Sequence, residues 1–312
     1  MTTINTSLPH QNPADLVTDG GLETTLIFHR GIDLPHFAAV VLLESEAGRE
    51  TLADYYLPYA SVARDANCGF IYETPTWRSN PDWGERLGYD SAALDRVNRE
   101  SVRLMAGLRA TEAESAAPRV ISGCIGPRGD GYVAGEKMDA DTARAYHAAQ
   151  AASFAAAGAD LVTGLTMTYP EEAIGVTRAS ADAGLPAVIS FTTETDGRLP
   201  DGTDLQQAIE TVDAATDGGP AYYMLNCAHP DHFRDALIEG EEWTRRIRGI
   251  RANASRMSHA ELDQAETLDD GNPRELGQIY AELRSAFPGI NVVGGCCGTD
   301  HRHVAHMCVT CH

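Results

Sequence analysis

The sequence predicts an α/β protein built as one (β/α)8 barrel, the TIM-barrel architecture, and three observations carry that prediction. Short β-branched or apolar runs alternate with longer, Ala-rich stretches of helical period, the rhythm of parallel βα units. The runs number eight, and a chain of 312 residues suits a single barrel. Polar and glycine-rich signals cluster just after the runs, at the strand ends that a barrel gathers on one face.

The first run, 16–19, passes into Asp19-Gly20-Gly21-Leu22-Glu23. That turn is not GxGxxG, which disfavours the alternative, a doubly wound sheet that binds a dinucleotide. The second run, 69–74, leads into Glu73-Thr74-Pro75-Thr76-Trp77, and the third, 119–125, into Gly126-Pro127-Arg128-Gly129. A helix follows over 140–157, with Asp141 read as the cap before 142–157 and Gly158 as the stop. The fourth run, 160–165, precedes a helix at 170–183 closed by Gly184; the fifth, 187–192, precedes one at 203–215. The sixth, 221–227, ends on Asn226-Cys227 before a helix at 232–237. After the seventh, 249–253, the polar stretch 256–272 reads as an excursion that precedes a helix at 273–286. The eighth, 291–295, runs into Cys296-Cys297. No repeat, low-complexity tract or linker divides the chain, so it reads as one domain, with 1–14 and 304–312 as peripheral tails.

Composition bounds the function. Lys+Arg 24 against Asp+Glu 45 gives a net charge of −21, which argues against a nucleic-acid partner. The basic residues are nearly all arginine, Lys137 being the one lysine, and the acidic balance reads as a solvated surface. No run of apolar residues is long enough to span a membrane. The start, MTTINTSLPHQNPADL, lacks the basic flank and apolar core of a signal peptide, so the expectation is a cytoplasmic protein whose seven cysteines are thiols. Oligomeric state is left open, a homo-oligomer included.

The chemistry concentrates in Gly294-Gly295-Cys296-Cys297-Gly298-Thr299. Vicinal cysteines do not bridge to each other without distorting the backbone, but two thiolates can turn to one metal, with glycines letting the chain approach what binds there. Cys227, in Tyr223-Met224-Leu225-Asn226-Cys227-Ala228-His229-Pro230, ends another apolar run in the same way. Three cysteines at the ends of two strands, with no evident fourth ligand, read as an open zinc site made of Cys227, Cys296 and Cys297. Three thiolates on Zn²⁺ leave a poor Lewis acid for water but a good host for a fourth sulfur. A free thiol has a pKa of roughly 8.5, so binding to the metal is what ionises it. The inferred reaction is alkyl transfer to a thiol without a side-chain base. Any one of these cysteines alone would read as core packing, as Cys68 and Cys124 do. Cys308 and Cys311 read as an accidental tail, and His301, His303 and His306 as helix-surface residues.

In these motifs the chain resembles the zinc-dependent homocysteine S-methyltransferases, which include betaine– and S-methylmethionine–homocysteine methyltransferases. The likeness runs from Asp19-Gly20-Gly21-Leu22 through Gly31-Ile32-Asp33-Leu34, Ala157-Gly158-Ala159-Asp160-Leu161, Asp201-Gly202-Thr203 and Asn226-Cys227 to the GGCCGT segment. The resemblance implies a (β/α)8 barrel, one zinc on the three cysteines, and methyl transfer from a sulfonium or quaternary ammonium donor to homocysteine, giving methionine. It further implies that Asp19, Gly20 and Gly21 line the acceptor pocket and that Asn226 supports the ligand loop. Phe37 stands near the position of a family tryptophan. Phe37 and Trp77 are expected on the donor side, with Tyr72 and Tyr169 as weaker choices, because onium cations are recognised by aromatic faces.

One departure bears on the acceptor. Family members generally carry a Glu at the end of strand four to hold the ammonium of homocysteine, and here Thr163-Gly164-Leu165-Thr166-Met167 puts Leu165 at that place, with Thr166 beside it as a substrate-binding candidate. A buried ammonium without a carboxylate is costly. Glu73 is therefore the first replacement to expect, with Glu23 and Glu194 behind it; the structural alternative is a Glu73 paired with Arg78 or Arg128. The rival functions are the same transfer to another small thiol or selenol, and a thiol- or zinc-binding barrel without catalysis. A Schiff-base aldolase lacks a lysine at a strand end, and a zinc hydrolase would want histidine-rich ligation.

Overall fold

A computed structural model describes residues 4–112 and 115–310. Eight parallel strands close into one barrel in sequence order: β1 (Leu16–Val17), β2 (Gly69–Glu73), β3 (Arg119–Ile125), β4 (Leu161–Met167), β5 (Ala187–Phe191), β6 (Pro220–Asn226), β7 (Ile247–Ala252) and β8 (Val292–Gly295). The ring shuts where Leu16 and Val17 pair with Val292 and Val293. Each predicted run corresponds to one of these strands.

Side chains alternate across each strand, so two cores form. Leu16, Ile71, Val120, Leu161, Val188, Tyr222, Met224 and Val292 fill the barrel, while Val17, Phe70, Ile121, Val162, Ile189, Tyr223 and Val293 face the surrounding helices. The same alternation carries Glu73, Ser122, Thr163 and Arg251 inward as a layer of buried polar groups.

The helix Ala140–Ala157 is capped by Asp139, whose side chain accepts from Thr142 N, and not by Asp141; Gly158 ends it at φ 89°. The helix expected at 232–237 is a short one at Pro230–Phe233 followed by a 3-10 turn at Arg234–Ala236. After β7 the excursion carries a helix at His259–Asp263 capped by Ser258 and Glu261.

Among the described residues, both terminal segments contribute to the packed structure where peripheral tails were expected. Asn5 O accepts from Arg119 N at 2.8 Å at the start of β3, and Leu8 is buried in the inner core. The last helix, His301–Thr310, buries Val304, Met307 and Cys308 in the outer core and packs on the helices Pro273–Ala286 and Glu46–Asp65. His303 is likewise buried, with Nδ1 3.1 Å from Asp300 Oδ1 and Nε2 2.8 Å from Asp270 O, so it is not a surface residue. Cys311 lies outside the described residues.

Candidate metal centre and active site

β6 and β8 flank β7 and end at the C-terminal mouth of the barrel. Cys227 follows β6 with a φ of 56°, unusual for a residue with a side chain. Its carbonyl is held by Asn253 Nδ2 at 2.9 Å and His259 Nε2 at 2.8 Å, and its N–H donates to Arg251 O at 3.2 Å. Cys296 N donates to Ala252 O at 2.8 Å, and the Cys296 carbonyl accepts from Thr299 Oγ1 at 2.7 Å. The Sγ of Cys227 stands 2.7 Å from that of Cys296 and 3.8 Å from that of Cys297, and all three sulfurs lie within 4.8 Å of one another. This group could hold one metal ion. Hydrogen bonds from Cys227 and Cys297 pull the Cys296 thiol well below its ordinary pKa; burial opposes them and the Arg251 charge assists.

The glycines around the thiols serve the chain itself. A Cβ on Gly21 would stand 2.6 Å from the Cys296 carbonyl oxygen, and one on Gly294 would stand 1.9 Å from Thr18 Oγ1. The ends of β1 and β8 can therefore touch only because these positions have no side chain.

Asn226, the last residue of β6, braces this mouth. Its Oδ1 accepts from Thr166 N at 3.0 Å and Ser190 Oγ at 2.6 Å, while its Nδ2 donates to Thr166 Oγ1 at 2.7 Å and reaches Cys296 Sγ at 4.0 Å. These bonds hold Thr166 at φ 62°, a strained conformation for a β-branched residue, where β4 departs from regular register between Gly164 and Met167.

A cavity of about 390 Å³ opens over the thiols. Of the residues expected at the site, Asp19, Gly20, Gly21, Phe37, Glu73, Trp77, Thr166 and the three cysteines line it, and Asn226 stands behind the wall. Glu73 does not pair with Arg78 or Arg128. Its Oε2 lies 2.5 Å from Arg251 Nη1 and its Oε1 accepts from Ser122 Oγ at 2.6 Å. Asp19 shares the same arginine, Oδ1 to Nη2 at 2.6 Å, and accepts from Tyr55 on Oδ2 at 3.1 Å. Burial pushes Asp19 up to about 6 against the pull of Arg251. Burial disfavours the Arg251 charge, but the carboxylates of Asp19 and Glu73 outweigh it and hold the group well above its ordinary value.

Tyr72 and Tyr169 do not line the cavity. Tyr72 packs edge-on against Phe70 in the outer core, and Tyr169 OH accepts from Met138 N at 3.0 Å. Glu194 is turned to His259 Nδ1 at 3.1 Å. Leu165 does line the cavity, an apolar wall whose carbonyl accepts from Trp77 Nε1 at 3.3 Å.

Sequence reasoning missed three residues. Arg251 is legible in hindsight as an inward position of β7. Tyr132 comes from the loop after β3, stacks on His259 with ring centroids 4.1 Å apart, and directs its hydroxyl to Cys297 Sγ at 3.6 Å. Nothing in the local sequence marks Tyr132 or His259, because their meeting depends on two long loops.

Fold and site together define a (β/α)8 barrel with three convergent thiols at its C-terminal mouth. Within that class the chain belongs to the homocysteine S-methyltransferase family, whose model matches residues 16–311, and it is thereby a methyltransferase. The homocysteine methyltransferase MmuM from Escherichia coli is similar in structure. Its oxidized form gives a TM-score of 0.73 at 20% identity, covering 96% of this chain and 99% of that one. The metallated form gives 0.70, with 20% identity and the same coverage of 96% and 99%. The apo form gives 0.66 at 20% identity, covering 97% and 98%. At this identity the likeness establishes the fold. Comparison with curated protein sequences finds no match.

Proposed function

We propose that this protein holds one zinc ion on Cys227, Cys296 and Cys297 and moves a methyl group from a sulfonium or quaternary ammonium donor to homocysteine, giving methionine. The observation that carries the reading is the convergence of three thiols within 4.8 Å on the floor of a cavity. The donor set fits zinc, since soft thiolates select it and three protein ligands leave a position open. Bound there, zinc supplies a place where a substrate thiol is held in its deprotonated, nucleophilic form.

The protein's own residues supply the rest. Asn226 and Thr166 fix the end of β4 against the thiols, and His259 and Asn253 fix the carbonyl of Cys227. Tyr132 donates to Cys297 and, with His259, walls that side. In the transfer a sulfur–carbon bond forms as the carbon–onium bond breaks. The donor leaves as a neutral thioether or amine and the acceptor becomes a neutral thioether, so no side chain needs to move a proton in that step. What the cavity contributes is alignment of sulfur, methyl carbon and leaving group, a positioning effect that can supply roughly 7–11 kcal/mol.

A second acceptor reading is favoured by Leu165, an apolar residue on the wall where an ammonium-binding acid is expected. Another small thiol would then take the place of homocysteine. Zinc X-ray absorption with and without homocysteine tests both readings. A change to four sulfurs on adding homocysteine supports it as acceptor, and three-sulfur zinc that ignores homocysteine points to another thiol. Protein that takes up no zinc sinks the reading.

A further inference from the structure

The cavity contains carboxylates in two conditions. Asp19 and Glu73 are committed to Arg251, with Tyr55 and Ser122 on their remaining oxygens. Asp130 takes the backbone of Tyr132 and the charge of Arg78, and Asp269 takes Ser255 and Gly271 N. Glu23 and Asp263 are different. Both line the cavity and, among the described residues, receive no side-chain hydrogen bond and no ion pair, but Asp263 is exposed to solvent whereas Glu23 is partly buried.

The cation that could have neutralised it is turned elsewhere. Arg78 lies in the same wall and within the field of Glu23, yet its guanidinium is 3.5 Å from Asp130 and stacked on Trp83 at 3.6 Å and Trp77 at 4.7 Å. That stacking places a cation of the protein over Trp77, the ring expected to receive the methyl donor. Phe28 and Phe37 remain on the cavity wall with Glu23, and Phe28 is 43% exposed. On the inner side Glu23 also feels Cys296.

We infer that Glu23 is the residue that recognises the positive charge of the methyl donor, holding an onium centre between its carboxylate and the rings of Phe28 and Phe37. This inference rests on the function proposed above and adds the residue that selects the donor's charge. An onium centre has no N–H or S–H, so it is matched by a diffuse negative charge and aromatic faces with no hydrogen-bond geometry to satisfy. A primary ammonium is the poorer fit, because it carries three donors and needs an acceptor for each. A carboxyl without a side-chain partner, in a cavity that also presents aromatic rings, meets the first requirement and not the second. Burial pushes Glu23 up to about 7, and an onium charge beside it favours its ionised form.

The test is Glu23→Gln on the zinc-loaded protein, read in two ways. In methyl transfer, the donor KM should rise about tenfold or more, the scale of one ion contact, with the acceptor KM unchanged. In calorimetry, tetramethylammonium should bind wild-type protein more tightly than neutral neopentyl alcohol, and the variant should lose that preference, with Glu23→Asp restoring part of it. A raised acceptor KM with an unchanged donor KM overturns the inference, as does an unaltered tetramethylammonium preference. If wild-type protein methylates no thiol, the functional reading fails, and the Glu23 dependence of tetramethylammonium binding still decides this inference by itself.

Discussion

Arg251 Nη1 stands 2.5 Å from Glu73 Oε2 across the interior of the barrel, joining β7 to β2 in the lining of the cavity. The other arm of the same guanidinium holds Asp19, so one cation balances two buried acids, and its Nε donates to Gly295 O at 3.1 Å just before the paired cysteines. Removing the cation alone leaves two carboxylates without a counter-charge. Arg251→Met should cost about 3–5 kcal/mol of stability in denaturant unfolding. Adding Asp19→Asn and Glu73→Gln should recover much of the loss, and a triple variant as unstable as the single one would contradict this account.

The thiols predict a separation of metal from fold. Cys296→Ser should abolish stoichiometric zinc and methyl transfer, while circular dichroism and the unfolding midpoint stay near those of metal-free wild type, because the two cores are built without the sulfurs. Zinc content by atomic emission checks this, and full zinc with wild-type turnover would refute it.

Tyr132 touches Cys297 through its hydroxyl, and partners of that kind tune a metal ligand. Tyr132→Phe should weaken zinc by about 10–100-fold, measured by competition with a chelator, and should shift the thiolate-to-metal band of the cobalt-substituted protein. An unchanged affinity and spectrum would reduce Tyr132 to a wall residue.

His229 gives a pH dependence with a definite sign. Burial, helped by Arg256, lowers it to about 4, and its Nδ1 accepts from Asp231 N at 3.2 Å, which requires the neutral ring. Unfolded His229 takes up its proton near pH 6.5 while the folded ring stays neutral until about 4, so the unfolded state binds more protons in that window. The His229 contribution is therefore complete above pH 6.5 and is lost as pH falls towards 4. His229→Asn, which keeps a capping acceptor, should flatten the stability profile there relative to wild type; parallel profiles would exclude His229 as the source.

Met307 tests whether the last helix belongs to the core. It is fully buried, and Met307→Ala should cost about 2–5 kcal/mol. A loss below the experimental error would mean that the segment is dispensable.

The strand rhythm was enough to read the barrel, because each buried parallel strand is a short apolar run bounded by turn residues. It also placed the thiols, since residues just past strand ends share one mouth. Contacts decided by side-chain direction were not legible. Glu73 carries the same letter whether it meets a substrate or Arg251, and only the inward register of β7 selects the second. The tails failed for a similar reason: Leu8 and Met307 sit in sparse apolar patterns, and their burial comes from the barrel floor and the neighbouring helices. Trp77 was found as a cavity residue, but the guanidinium stacked upon it belongs to its sequence neighbour and could not be read from composition.

The contact between the ends of β1 and β8 has a temporal meaning for a chain made from its N-terminus. Gly21 sits against the carbonyl of Cys296, so the paired cysteines are set between the barrel strand that is made first and the one that is made last. No fragment that lacks either strand can assemble the three-sulfur centre, however much of the helical layer it has formed. A polypeptide truncated before β8 would carry one thiol of the three, and only the circularised sheet brings all of them together.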